Sequence, residues 1–217
     1  MLKKILWVLL LLFVFVLAAG AWLWQLLDRR ADDGALSQTH AGQVPYLQQS
    51  QAALLGSAAA PATLPNRGKV LAVVSSTASY PLARTGGTLK KTGYELTELS
   101  RFYWVLQANG FVVDIASPQG GHAPMVLDDG LNEYDYAFLN DPTAQQKLTH
   151  TLALAKVNPA DYQAVYFVGG KGTMFDFIDN SEIGRLLTHF ISDNKLILAV
   201  CHGPAALLSL PAAQRSW

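Results

Sequence analysis

The sequence predicts an α/β fold, a parallel sheet with helices on both faces, preceded by one transmembrane helix. Three observations carry that reading. Four short apolar runs bounded by turn residues, Val70 to Val74 (VLAVV), Phe111 to Ala116 (FVVDIA), Ala164 to Val168 (AVYFV) and Leu196 to Val200 (LILAV), read as buried strands. Helical patterns lie between them, the alternation that parallel strands with crossover helices require. From Ile5 to Trp24 no side chain is charged, amide or hydroxyl.

Twenty helical residues span about 30 Å, the thickness of a bilayer's hydrocarbon core. Trp7, Trp22 and Trp24 lie near the ends of this run, where indole rings favour the interface. Lys3 and Lys4 precede it, whereas Asp28, Arg29, Arg30, Asp32 and Asp33 roughly cancel behind it. Residues 5–27 are therefore expected to cross a membrane once, with a cytoplasmic N-terminus and the remainder on the outer, periplasmic or extracytoplasmic side. The alternative is a cleaved signal peptide, with Leu17-Ala18-Ala19-Gly20-Ala21 as its small-residue end. Both export the rest of the chain.

Residues 31–68 are rich in Ala, Gln, Ser, Gly and Pro, and Pro45, Pro61 and Pro65 break any long helix. Three parts follow: 1–30 as anchor or signal peptide, 31–68 as linker, and 69–217 as the globular domain. With 16 basic and 16 acidic side chains the net charge is zero, so no basic run suits nucleic acid. An apolar fraction of 51% excludes disorder throughout. In the domain, a helix is expected near Glu95 to Asn109, stopped by Gly110. Asn180 or Ser181 can cap another that runs to about Ser192. In sheets of this kind, sites form at the carboxyl ends of the strands.

Cys201, the one cysteine, directly follows the fourth run. It has no internal disulfide partner, and is either a small buried hydrophobe or a reactive thiol. Its position favours the second. A strand-to-helix turn sets a nucleophile at the sheet edge and at a helix N-terminus, whose partial positive charge favours the thiolate. Gly203 permits the crowding of such a turn, and Pro204 suits a first helical turn.

Three blocks then become recognisable: Lys91-Thr92-Gly93-Tyr94-Glu95-Leu96-Thr97-Glu98-Leu99, Val168-Gly169-Gly170-Lys171-Gly172-Thr173-Met174-Phe175-Asp176-Phe177, and Ala199-Val200-Cys201-His202-Gly203-Pro204-Ala205. From about Lys69 to Leu210 the chain resembles the ThiJ/PfpI superfamily, the flavodoxin-like fold of class I glutamine amidotransferases. The Thr-Gly-x-x-x-x-Glu and Gly-Gly-x-Gly-Thr-Met spacings look most like its heat-shock chaperone and glyoxalase III branch.

The resemblance implies that Cys201 is the nucleophile, His202 the base beside it and Glu98 the acidic partner that shuttles a proton. Helical spacing alone leaves Glu95 and Glu98 equivalent. A carboxyl buried beside a thiolate has its pKa raised, which suits a group that gives and takes a proton. Gly169 and Gly170 follow the third strand, so their amides can face an oxyanion together with that of His202; the plainer reading is an ordinary glycine turn. His40, His122, His150 and His189 match no motif and read as surface or capping residues, and Asp176 and Asp179 as loop and cap residues. No pair has metal-ligand spacing and no phosphate loop opens a helix, so neither metal nor cofactor is expected.

Two positions depart from the branch, Lys171 where it usually has His and Phe102 where it has Pro. The chain also ends at Trp217, whereas family members continue and usually place there the acid that orients the histidine. The expectation is a truncated domain with an uncovered sheet edge. The implied function is cofactor-independent glyoxalase III-type lyase chemistry on small reactive carbonyls such as methylglyoxal, in a membrane-anchored protein that forms a homodimer. The alternatives are a stress-response chaperone, an amidase- or peptidase-like hydrolase, and an inactive truncated homologue.

Overall fold

A computed structural model describes residues 66–82, 87–128 and 130–215. The described chain opens with β1 (Lys69–Val73), the short antiparallel pair β2 (Ser79–Pro81) and β3 (Leu89–Lys91), and β4 (Tyr94–Glu95), which runs into helix α1 (Leu96–Ala108). There follow β5 (Val112–Ser117), β6 (Met125–Val126), α2 (Glu133–Asn140), α3 (Pro142–Thr149) and β7 (Leu152–Ala153). Next come β8 (Ala164–Phe167), the one-turn helix α4 (Thr173–Asp176), α5 (Ser181–Ser192) and β9 (Leu196–Ala199). Two 3₁₀ segments, Gly203–Ser209 and Ala212–Gln214, come last.

Five strands form one parallel sheet in the order β7-β5-β1-β8-β9. The central strand β1 sets Val70 opposite Val113 on one side and Ala164 on the other. From β1 the sheet grows first toward β7 and then in the other direction through β8 and β9. The reversal at β1 and β8 opens the crevice outside the strands' carboxyl ends where α/β proteins place their sites.

Alternation along the strands divides the core between two faces. Leu71, Val73, Val165 and Phe167 join Ile183, Leu186, Leu187 and Phe190 of α5 in one buried cluster. On the other face, Tyr166 stacks on Phe102 of α1 with ring centroids 3.8 Å apart. Beyond it, Tyr103 meets Phe138 of α2 edge-on at 5.2 Å. Helices cover both faces, as the sequence predicts, in a flavodoxin-like α/β architecture.

All four long apolar runs are strands, and Asn180 caps α5 by accepting from the amides of Glu182 and Ile183. The fifth strand, β7, escaped the sequence because two residues have no readable period. A second difference follows Cys201, where a 3₁₀ segment replaces the expected α-helix. Gly203 and Ala206, three apart, are both buried, which suits a three-residue turn that stacks them on one face. The outermost strand β9 leaves Leu196 68% and Leu198 40% exposed. Among the described residues no helix is long and apolar enough to cross a membrane. The apolar segment 5–27, and residues 31–65 of the linker, lie outside the described residues.

Candidate active site

The turn that holds Cys201 is built by its neighbours. The amide of Val200 donates to the Phe167 carbonyl at 3.2 Å, and the amide of Gly203 reaches back to the Val200 carbonyl at 2.6 Å. Between them Cys201 takes φ +52°, the left-handed region that residues other than glycine rarely enter. Such strain persists only where surrounding contacts enforce it, and it gathers at functional sites. The residue is exposed, and its Sγ lies 3.1 Å from Nδ1 of His202.

Glu98 comes from the first turn of α1, on the neighbouring face of the sheet. That helix starts where it does because Glu95, 3% exposed, caps it: its Oε2 accepts from the Glu98 amide at 3.0 Å and from the Thr97 hydroxyl at 2.7 Å. The Glu98 Oε2 in turn accepts the Gly169 amide at 2.7 Å, and its carboxyl hydrogen-bonds the Cys201 thiol. The Tyr166 hydroxyl donates to the Glu98 carbonyl at 3.1 Å, which ties α1 to β8.

Immediately after β8, the two glycines make room for this meeting. A Cβ at Gly169 would stand 2.6 Å from Oε2 of Glu98 and 2.7 Å from Cβ of Cys201. Gly170 has φ +97° and points its amide at the sulfur, as does His202. The buried hydroxyl of Thr173 is shared between the carbonyls of Gly170, at 2.9 Å, and His202, at 3.2 Å. The glycine turn and the cysteine turn are thus braced by one side chain.

Burial pushes the Glu98 carboxyl above its ordinary range; the Gly169 amide and the thiol offset part of this, and the nearby Glu95 adds to it. The Cys201 thiol is also pushed up, first by loss of water and then by Glu98, against the pull of the Gly170 and His202 amides. The helix-terminus argument from sequence predicts the opposite for the thiol. It fails because loss of water and the facing Glu98 carboxyl outweigh the pull of the two amides. Two acids in contact share protons as a pair, and ionising one opposes ionising the other.

The structure brings Cys201, His202, Glu98, Gly169 and Gly170 together. One of them sits differently from the sequence reading. The Gly169 amide is taken by Glu98, and the amides turned toward the sulfur are those of Gly170 and His202. Sequence reasoning missed the capping role of Glu95 and the bracing role of Thr173; the Gly-Gly-x-Gly-Thr block carried the only signal for the latter. Phe102, a departure from the branch, packs on Tyr166, and Lys171 is exposed beside the glycine turn. His150 ends α3, His189 lies 3.2 Å from Asp193, and His122 is exposed. Among the described residues no group of three or more His, Cys, Asp or Glu could hold a metal ion.

The sequence profile of the DJ-1/PfpI family matches residues 88–215. The protein/nucleic acid deglycase HchA of Pseudomonas aeruginosa is 28% identical over 155 residues, 69% of this chain and 53% of that protein. The glutathione-independent glyoxalase hsp3102 of Schizosaccharomyces pombe is 25% identical over 153 residues, covering 68% and 62%. The chain spans about half the length of several curated relatives it matches. Among solved structures, the Rapid Encystment Protein 24 KDa of Francisella tularensis superimposes with a TM-score of 0.58 at 31% identity, covering 64% of this chain and 61% of the other. Glyoxalase III of Candida albicans gives 0.57 at 25%, covering 68% and 62%.

Proposed function

This chain belongs to the DJ-1/PfpI family, and on that footing we propose that it carries out cofactor-independent, glyoxalase-type chemistry on small reactive carbonyls such as methylglyoxal. Cys201 attacks the aldehyde carbon while its S–H proton passes to the Glu98 carboxylate. The negative charge that develops on the carbonyl oxygen faces the amides of Gly170 and His202, and Glu98 returns the proton to give a hemithioacetal. Glu98, ionised again, removes the remaining hydrogen from that carbon as a proton and delivers it to the adjacent carbon. As the hemithioacetal hydroxyl proton passes from its oxygen to the former ketone oxygen, the former aldehyde becomes a thioester and the former ketone an alcohol, an internal redox exchange that needs no outside oxidant. Water, with its proton taken by His202, cleaves the thioester and releases a 2-hydroxy acid and the thiol.

The observation that carries this reading is the Glu98 carboxyl held on the thiol by the Gly169 amide at 2.7 Å. A carboxyl group whose pKa is raised by burial, in contact with the nucleophile, is suited both to accept and to return a proton. With residues 5–27 read as an anchor, the chemistry would be tethered at the outer face of a membrane. The test is lactate formation from methylglyoxal by the full chain and by Cys201→Ala. Loss of turnover in the variant is expected, and turnover that survives would overturn the role of the thiol. Release of free amine from a glycated peptide, run in parallel, separates a deglycase from a glyoxalase.

A further inference from the structure

Asp176 takes no part in the steps above, and its sequence context marks it only as a loop or cap residue. Its carboxylate is nevertheless the hub of a compact network at the carboxyl end of β1. The Ser75 hydroxyl donates to it at 3.0 Å and the Ser76 amide at 2.7 Å. Thr77 adds its own hydrogen bonds to the carboxylate, and the Thr77 amide also donates to the Ser75 hydroxyl at 3.0 Å. Ser75 is wholly buried and lies against Gly172.

Asp176 is also the last residue of α4, which is only four residues long. A single helical turn does not hold itself together, since nucleation is unfavourable until several turns share it. External tethers therefore fix its place. At its start, Thr173 grips the carbonyls of Gly170 and His202; at its end, Asp176 grips the loop after β1. The Gly170 amide, one of two that face the sulfur, is thus positioned from the far end of this turn.

We propose that Asp176 is a positioning residue for the Cys201 site, clamping α4 to the end of β1 and thereby holding the Gly170 amide on the sulfur. The proposal rests on Cys201 being the reactive thiol of the function proposed above. A carboxylate suits this place, because its hydrogen-bond partners Ser75, Ser76 and Thr77 all donate to it. Burial raises the Asp176 pKa, and the donors of Ser75, Ser76 and Thr77 oppose that shift.

The experiment is the pH dependence of Cys201 alkylation by iodoacetamide in the full chain, which needs no substrate turnover. The titratable groups around the sulfur, Glu98, His202 and Tyr166, are unchanged in each variant, so a shift reports the lost donor. An N–H aimed at sulfur favours the thiolate, so Asp176→Ala moves the alkylation midpoint upward and slows alkylation at pH 8 by about threefold or more. Asp176→Asn, which keeps one acceptor for the Ser76 amide but turns an NH2 toward the remaining donors, restores only part of the wild-type profile. In methylglyoxal turnover, Asp176→Ala lowers kcat by about tenfold with KM nearly constant, because an oxyanion donor acts in the transition state. A folded Asp176→Ala with the wild-type alkylation profile overturns the proposal. Should that variant fail to fold, Ser75→Ala decides: an upward shift supports the clamp and an unchanged profile overturns it. Absence of methylglyoxal turnover in the wild-type chain, with the alkylation shift intact, would remove the proposed activity and leave the clamp standing.

Discussion

Oε2 of Glu98 and the amide nitrogen of Gly169 are 2.7 Å apart, and the side chain that Gly169 lacks would occupy the space where Glu98 and Cys201 meet. Gly169→Ala therefore separates the carboxyl from the thiol. A displacement of about 1 Å at a reacting centre lowers rate by about 100-fold, whereas local overpacking costs about 1–3 kcal/mol. Lactate formation is expected to fall by that factor while circular dichroism and the thermal transition persist in weakened form.

Glu98 carries a pH signature in stability. Its folded pKa stands above the ordinary carboxylate value of the unfolded chain, so between those two values the folded protein binds more protons than the unfolded chain. Stability from this group is therefore present at low pH and falls as pH rises through the interval. Glu98→Gln lacks that loss: its melting temperature gains on the wild type as pH is raised from 4.5, and the gap stops growing above the raised pKa. The same variant loses about 10²- to 10⁴-fold in turnover, the usual range for a removed acid–base group.

The thiol responds in the opposite direction to the Asp176 variants. Glu98 raises the Cys201 pKa, so replacing its carboxyl by a neutral amide removes a charge that opposes the thiolate. Alkylation of Glu98→Gln against pH should show a midpoint below that of the wild type. A midpoint that stays or rises would mean the carboxyl does not face the sulfur.

The outer strand β9 predicts association behaviour. Leu196 and Leu198 are exposed on a strand that ends the sheet order, the arrangement that invites edge pairing. Leu198→Lys places a charge on this rim and is expected to reduce self-association in light scattering and size-exclusion profiles, without changing alkylation of Cys201.

Much of this architecture could be read from residue order because the long strands are unbroken apolar runs. Val70 to Val73 and Ala164 to Phe167 are buried on both faces, which erases alternation and leaves a continuous signal. Strands of two or three residues, such as β4 and β7, carry no period and their pairing is a tertiary fact. At the site, Cys201 was legible from its place after a strand, but Glu95 and Glu98 could be told apart only by resemblance to a family. The sequence shows two acids three residues apart on one helix; only the fold reveals that one caps the helix and the other crosses to the thiol. Asp176 was unreadable for the same reason, since its partners at 75–77 lie a hundred residues away.

The left-handed backbone at Cys201 sets chemistry and robustness against each other at a single peptide. An L-residue there sits about 1–2 kcal/mol uphill, a penalty that glycine escapes. Random drift at this codon thus has a downhill exit through Cys201→Gly, toward a sturdier scaffold with no sulfur. A lineage that keeps the cysteine does so against the fold's own preference, and only a benefit outside folding can hold it in place.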